Sequence, residues 1–292
     1  PLDDSTLGGS EAKNLVIVTS GKGCKSKFSA LMTDCVPDLN FMIASQCFPL
    51  YWYQNGKKEY AMQEKALQMI RRFYGEASLS YEDVFYYLYG LFHHRGYTSR
   101  YHSNLSKELP RIPFASDLST FKKISKAGEE LGDMHACYDK QPLWDCKVEI
   151  IKDKDPEKLN LEEKERFYRV TKMRFEDKKD KSKIQVNHNI SISGIPLHAY
   201  DYKVNGRSAL SWVMQRQTVK SDKESSILYD PNSYALETMK NLKYPYEHLL
   251  RMITVSMKTL EIVAKMPQVD FDTCADRSLE GDIFSQSYKK AA

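Results

Sequence analysis

Ser80-Tyr-Glu-Asp-Val-Phe-Tyr-Tyr-Leu-Tyr-Gly-Leu-Phe-His93 is the stretch on which the fold reading turns. Ser80 can cap a helix, Asp83 three residues on makes a capping-box variant, and Val84, Leu88, Leu91 and Phe92 form one apolar stripe. The segment therefore predicts a helix with one buried face. Before it, Met62, Ala66, Met69, Ile70 and Phe73 fall at helical spacing between Glu59 and Tyr74, and Gly75 is a natural stop. Further upstream the period changes. Asn14-Leu-Val-Ile-Val18 predicts a buried strand, and short β-like runs follow at Phe28 to Met32, Leu39 to Ile43 and Phe48 to Tyr53. Gly56-Lys-Lys58 predicts a surface turn.

Downstream of the helix, a short helical piece after Gly96 passes through Tyr101 and Leu105. It runs into Glu108-Leu-Pro-Arg-Ile-Pro-Phe114, which two prolines force to be extended. Ser116 is placed to cap a helix in which Leu118, Phe121, Leu131 and Tyr138 share a face. The middle reads as β-rich. Lys147 to Ile151 and Phe167 to Phe175 are candidate strands, and Ile184, Val186, His188, Ile190 and Ile192 alternate over nine residues. The charge runs Asp153 to Lys164 and Glu176 to Lys183 read as solvated connections. Tyr200 to Val204 is a further strand closed by Asn205-Gly206. Helix returns from Ser208 to about Gln215 and from Pro245 to about Lys265, with Pro245 in the first turn.

This order predicts an α+β fold, with mixed β-sheet elements, helical segments and a mainly helical C-terminal part. Residues 1–13 read as a linker or chain end, 14–140 as a first half (β, then helical), 141–266 as a second half (β-rich, then helical), and 267–292 as a loose tail. Hydrophobic residues make up 41% of the 292 and charged residues 28%, an ordinary globular balance. No apolar run approaches the roughly 18 residues of a membrane span, so no membrane partner is expected. The opening Pro1-Leu-Asp-Asp-Ser lacks a signal pattern and reads as a boundary inside a longer polypeptide. Cys24, Cys35, Cys47, Cys137, Cys146 and Cys274 show neither a CxxC pair nor a Cys/His zinc spacing; they read as reduced thiols of a cytoplasmic protein.

The net charge of +4 is small, but its distribution is uneven. Residues 13–27 hold Lys13, Lys22, Lys25 and Lys27 with no acid, and residues 92–126 hold seven Lys/Arg against Glu108 and Asp117. Residues 203–223 hold five Lys/Arg against Asp222, whereas 129–170 hold twelve acids against eight bases. If the basic windows converge they build one positive face suited to nucleic acid; otherwise they are separate solvated faces.

Ser20-Gly-Lys-Gly-Cys-Lys-Ser26 has the look of a phosphate loop after a strand but lacks the Gly that a Walker loop needs before Lys-Ser. It is either a basic loop whose lysines (Lys22, Lys25, with Lys27 just beyond) touch DNA phosphates or a plain surface loop. Glu162-Glu-Lys164 has the Glu-x-Lys spacing of a restriction nuclease but lies in a charge run rather than a buried strand. His93, His94 and His188 fit structural roles better than a metal. Neither the Asp/Asn-Pro-Pro-Tyr/Phe run of adenine-N6 methyl transfer nor a nucleophile elbow is present. Arg95 and Arg100 flank Gly96, an adaptable break that suits entry into a DNA groove. Arg111, held between Pro110 and Pro113, suits a fixed register on the phosphate backbone.

Gln46-Cys-Phe-Pro-Leu-Tyr-Trp-Tyr53, Asp83-Val-Phe-Tyr-Tyr-Leu-Tyr-Gly-Leu-Phe-His93 with Tyr101, and Leu109-Pro-Arg-Ile-Pro113 together resemble the C-terminal specificity region of Type ISP restriction-modification enzymes. Ser193-Gly-Ile-Pro196, Asn205-Gly-Arg-Ser-Ala-Leu-Ser-Trp212 through Arg216, and the last helix with Thr259 and Met266 extend the match in order over about residues 14–266. The resemblance implies a region that reads double-stranded DNA within a large bacterial cytoplasmic protein. A nuclease, an ATP-driven translocase and an adenine-N6 methyltransferase lie elsewhere in such a chain. S-adenosylmethionine, ATP and Mg²⁺ would serve those parts, leaving no cofactor, metal site or catalytic residue here. The partners implied are double-stranded DNA and the methyltransferase domain of the same chain, in a monomer. Arg207 and Arg216 join Lys22, Lys25, Lys27, Arg95, Arg100 and Arg111 as candidate DNA contacts. An interdomain coupling module with little DNA contact, or a degenerate nuclease, are the competing readings.

Overall fold

The computed structural model describes residues 14–21, 23–24, 26–38, 40–42, 44–54, 57–150, 155–271 and 274. The linker expected over 1–13 and the tail beyond 274 lie outside these, as do Leu39, Ile43 and Gly56. The chain is α+β and divides into two compact units. One comprises the residues up to Cys137, Val204–Gly206 and those from Glu261 on; the other is Tyr138–Lys203 with Arg207–Leu260.

In the first unit, β1 (Val16–Thr19) is the middle strand of an antiparallel sheet between β2 (Ala30–Thr33) and β3 (Gln46–Pro49). All four β1 side chains are buried, which is why its sequence is a continuous apolar run rather than an alternation. The strand expected at Leu39 to Ile43 does not form over its described residues. Asp38 Oδ1 accepts from the Asn40 amide and Ser45 Oγ from that of Met42, so side chains take up amides that a ladder would need. Beyond Leu50 the chain forms a hairpin of β4 (Tyr51–Gln54) and β5 (Lys57–Tyr60). Lys57 and Lys58 are thus exposed strand residues, not a turn.

That pairing delays α1 (Glu64–Tyr74) by five residues from the expected start. It ends at Gly75 with φ of 64°, a left-handed stop. Ala66, Leu67 and Ile70 form its buried face, while Met69 and Phe73 are exposed. Helix α2 (Tyr81–His93) carries both halves of the Ser80–Asp83 capping box. Two short helices follow, α3 (Arg95–Arg100) and α4 (His102–Leu105), and then α5 (Leu118–Ala136). Asp117, not Ser116, caps α5: its carboxylate accepts from the Thr120 amide at 2.8 Å. Tyr138 lies beyond α5 in a 3-10 turn and is exposed.

Helices α2 and α5 cross with their backbones in contact. A Cβ on Gly90 would sit 2.3 Å from the Ile124 carbonyl oxygen, and one on Gly128 would sit 1.9 Å from that of Tyr86. Ser125 Oγ donates to the Asp83 carbonyl at 2.7 Å beside the crossing. At its far end the Tyr89 hydroxyl meets His135 Nδ1 at 2.6 Å, and His93 Nδ1 meets the Tyr89 carbonyl at 3.0 Å. Burial pushes the His93 pKa down to about 4 and that of His135 well below its usual value, so both rings are neutral.

The second unit is built on an antiparallel sheet of order β6-β9-β8-β7, with β6 (Lys147–Ile150), β7 (Arg174–Phe175), β8 (Ile184–Gln185) and β9 (Ile190–Ser193). The nine-residue alternation is therefore a hairpin rather than one strand. Asn187 Oδ1 accepts from the amides of Asn189 and Ile190 and folds the chain back, leaving His188 exposed at the turn. Ile184, Val186, Ile190 and Ile192 are all buried, because both arms present one face to the core. The last four residues of the first charge run are helical: Asn160 and Glu163 form a capping box for α6 (Leu161–Tyr168). That helix takes Phe167 and Tyr168 away from the strand expected over Phe167 to Phe175, of which only the last two residues pair.

Strands β10 (Lys203–Val204) and β11 (Arg207–Ser208) flank Asn205 and Gly206. These have φ of 51° and 77°, the two positive values a two-residue hairpin turn demands. Ser208 caps α7 (Ala209–Arg216), and β12 (Lys220–Ser221), β13 (Leu228–Tyr229), α8 (Pro231–Glu237) and α9 (Tyr244–Lys265) follow. Leu249, Leu250 and Ile253 of α9 pack into the second core with Leu210 and Val213 of α7. Among the described residues no helix is long and apolar enough to cross a membrane. In the segment expected to be a loose tail, the Pro267 carbonyl meets His94 Nε2 at 2.9 Å, and Phe271 and Cys274 are buried.

Candidate nucleic-acid interface

Lys22 and Lys25 lie outside the described residues; Lys27 is exposed at the end of their loop. Small residues fix the loop where it begins and ends. A Cβ on Gly21 would sit 1.7 Å from the Ala44 carbonyl oxygen, so only glycine passes there. Ser20 and Ser29 close the loop's base: the Ser20 amide donates to the Ser29 carbonyl at 3.0 Å and the Ser29 amide to Ser20 Oγ at 3.1 Å. The Gly23 amide then donates to the Ser106 carbonyl at 3.2 Å, just beyond α4. The first basic window is in this way tied to the second within one unit.

In that second window, His94 caps α3 by accepting the Tyr97 amide on Nδ1 at 3.3 Å. Arg95 opens the helix and Arg100 closes it, both exposed. Gly96 is not the adaptable break expected from sequence. It lies inside α3, where a Cβ would meet His94 Cε1 at 3.0 Å and Phe271 Cε2 at 3.1 Å. Five helical positions separate Arg95 from Arg100, which turns them about 140° apart. Their side chains therefore leave the helix in different directions.

Arg111 sits on an extended strap whose alternate carbonyls are each held by a tyrosine hydroxyl from a different helix. Tyr97 of α3 donates to the Arg111 carbonyl at 2.8 Å, and Tyr87 of α2 to that of Pro113 at 2.7 Å. Tyr74 of α1 donates to the Ala115 carbonyl at 2.7 Å, and the Tyr87 oxygen also accepts the Ala115 amide at 3.0 Å. Burial pushes the pKa values of all three phenols up, so they remain protonated donors. The Arg111 side chain is 81% exposed, with Glu108 Oε2 at 3.3 Å as its acidic neighbour.

In the second unit Arg207 precedes α7 and Arg216 is its last residue. Arg207 donates to Gln215 Oε1 and lies 5.2 Å from the Trp212 ring, and Arg216 follows Gln215 at the helix end. The Glu-x-Lys triplet falls on α6, where Glu162 pairs with Arg166 at 2.5 Å on an exposed face. Among the described residues no group of three or more His, Cys, Asp or Glu side chains is arranged to hold a metal ion. Lys57 and Lys58, expected from sequence only as part of a surface turn, are further exposed cations. Their exposed strand between tyrosines, with Lys58 Nζ 3.6 Å from the Tyr51 ring centroid, adds positive charge to the first unit.

Residues 4–247 match the sequence profile of the Type ISP C-terminal specificity domain. A search of curated protein sequences finds no match. Among solved structures, the chain is similar to a nuclease-deletion mutant of the Type ISP restriction-modification enzyme LlaGI in complex with a DNA substrate mimic. The TM-score is 0.74 and the identity 32%, over 91% of this chain and 22% of that one. It is similar to the ATP-dependent Type ISP enzyme LlaBIII bound to DNA, with TM-score 0.76 and 35% identity over 89% of this chain and 16% of that one. The DrdV–DNA complex matches with TM-score 0.72 and 28% identity, over 89% of this chain and 25% of that one. The chain thus spans a quarter or less of each of these relatives. By the match over most of its length, the chain belongs to the Type ISP C-terminal specificity domain family.

Proposed function

We propose that this chain recognises a target sequence in double-stranded DNA on behalf of a longer restriction-modification polypeptide, and performs no chemistry itself. One observation carries the proposal. Lys27, Arg95, Arg100 and Arg111 stand exposed on backbone that is fixed by the Ser20–Ser29 hydrogen bonds, the His94 cap and the tyrosine-held strap. Cations on fixed backbone lose little freedom when they meet phosphates, which favours binding. The DNA-bound state of the LlaGI, LlaBIII and DrdV relatives supports the same reading. Phosphate contacts of this kind set register, and the sequence itself is read by side chains at base edges.

The methyltransferase domain of the same polypeptide would be the second partner, in a cytoplasmic monomer. S-adenosylmethionine, ATP and Mg²⁺ would act on domains outside this chain. Selection of bound sequences from a random duplex pool at two salt concentrations tests the proposal: it calls for enrichment of one short motif that persists at the higher salt. Binding without enrichment would leave a non-specific coupling module, and methyl transfer from labelled S-adenosylmethionine by this chain would contradict the absence of chemistry.

A further inference from the structure

The carbonyls of residues 111, 113 and 115 point to one side of the strap, as every second carbonyl of an extended chain does. A neighbouring strand would ordinarily satisfy them. Here three tyrosine hydroxyls do so at 2.7–2.8 Å, one from each of α1, α2 and α3. The tyrosines themselves are braced. Tyr87 stacks on Phe121 at 4.5 Å and Phe114 at 5.4 Å between ring centroids, and Tyr97 packs on Phe271 at 5.9 Å. Pro110 and Pro113 fix two φ angles, but they leave the Arg111 ψ to be set by what its carbonyl meets. That partner is Tyr97, which is fully buried, while the guanidinium on the same residue stands in solvent.

We infer that Tyr97 is a positioning residue for DNA binding: its hydroxyl presets the Arg111 backbone, so that only the side chain has to be ordered when the guanidinium meets a phosphate. Tyr87 and Tyr74 extend the same support along the strap, with an effect that falls with distance from Arg111. The inference rests on the reading that Arg111 touches DNA. Tyr97→Phe keeps the ring and its packing and removes only the hydrogen bond, leaving the charge count of the interface unchanged. Affinity should therefore fall while its dependence on salt stays the same. A residue acting only on the general fold would not show this combination.

The test is a double-mutant cycle on the 292-residue chain. Wild type, Tyr97→Phe, Arg111→Ala and the double variant are titrated with a labelled mixed-sequence duplex across a salt series. Tyr97→Phe is expected to weaken binding about threefold to tenfold, the size of one modest hydrogen bond, at an unchanged salt slope. In the Arg111→Ala background it should have no further effect. Tyr74→Phe, at the other end of the strap, should weaken binding less, and it supplies the same comparison should Tyr97→Phe fail to fold. An equal loss in both backgrounds, or no loss beside a weakened Arg111→Ala, overturns the positioning role alone. An Arg111→Ala variant that binds as wild type, with the same slope, removes Arg111 from the interface and the inference with it. A wild-type chain that binds no duplex refutes the proposed function itself.

Discussion

Arg111 and Arg207 are the same residue type, both exposed, both in basic windows, and the structure treats them in opposite ways. Arg111 has a constrained backbone and a solvent-exposed side chain: its carbonyl is held by Tyr97, and its guanidinium, 81% exposed, makes an exposed ion pair with Glu108. Arg207 follows a tight two-residue turn, and its guanidinium is engaged with Gln215 and the Trp212 ring. What distinguishes a ready ligand contact from a structural cation is therefore where the order resides. Order in the backbone lowers the cost of binding; order in the side chain must be undone before the charge is available.

The largest effect should come from breaking the support on which Arg111 rests. Gly128→Ala places a methyl group 1.9 Å from the Tyr86 carbonyl oxygen, where only movement of α2 against α5 relieves it. A loss of more than about 3 kcal/mol in urea denaturation is expected, with loss of duplex binding. Gly206→Ala, at the turn before Arg207, meets nothing within 4 Å and pays only for φ of 77°. That is a cost of about 1 kcal/mol.

Acid should act in the same direction more gently. His93 has a pKa of about 4 in the folded chain against 6.5 unfolded, and His135 is also lowered well below 6.5, by burial and by His93. A group lowered in this way binds protons in the unfolded state first, so stability is intact above pH 6.5 and is lost as pH falls toward 4. Up to about 3 kcal/mol is at stake for His93. The second unit has one such histidine, His248, lowered by burial to about 4. Trp52 fluorescence should consequently report a steeper acid loss in the first unit than Trp144 and Trp212 report in the second; equal slopes would mean that the α2–α5 histidines are not the cause.

Arg111→Ala should leave stability within about 0.5 kcal/mol, because its ion pair with Glu108 is exposed. It should weaken binding of every duplex and reduce the salt slope by about 1. Arg207→Ala should do the reverse, removing about 0.5–1 kcal/mol of stability with its ring contact and changing affinity less. Titration and melting of the two variants side by side check both halves, and an Arg207→Ala loss of affinity exceeding that of Arg111→Ala would undo the contrast.

Much of the fold was legible because local signals agreed with packing. The Ser80–Asp83 box, the buried run at Val16–Val18, the Gly75 stop and the Asn205-Gly206 turn all stand where sequence placed them. The misreadings share a cause. Ile184 to Ile192 alternates like one strand because both arms of a hairpin point inward, and period alone cannot see the Asn187 side chain that reverses the chain. The charged α6 hid its Asn160–Glu163 cap in a run that composition marks as solvent. For the site, proline made the Arg111 strap visible, but nothing in the spacing of Tyr74, Tyr87 and Tyr97 announces that three hydroxyls meet alternate carbonyls. Gly96 misled for the opposite reason: it is small because His94 and Phe271 crowd it, not because the chain must bend there.

The most direct measurement is equilibrium binding of this chain to a labelled duplex as salt is raised. An affinity that falls linearly in log–log form is expected, with a slope set by several phosphate contacts and reduced by about 1 on Arg111→Ala. A folded chain that shows no duplex binding at low salt, or binding whose salt slope is untouched by Arg111→Ala, would contradict the account.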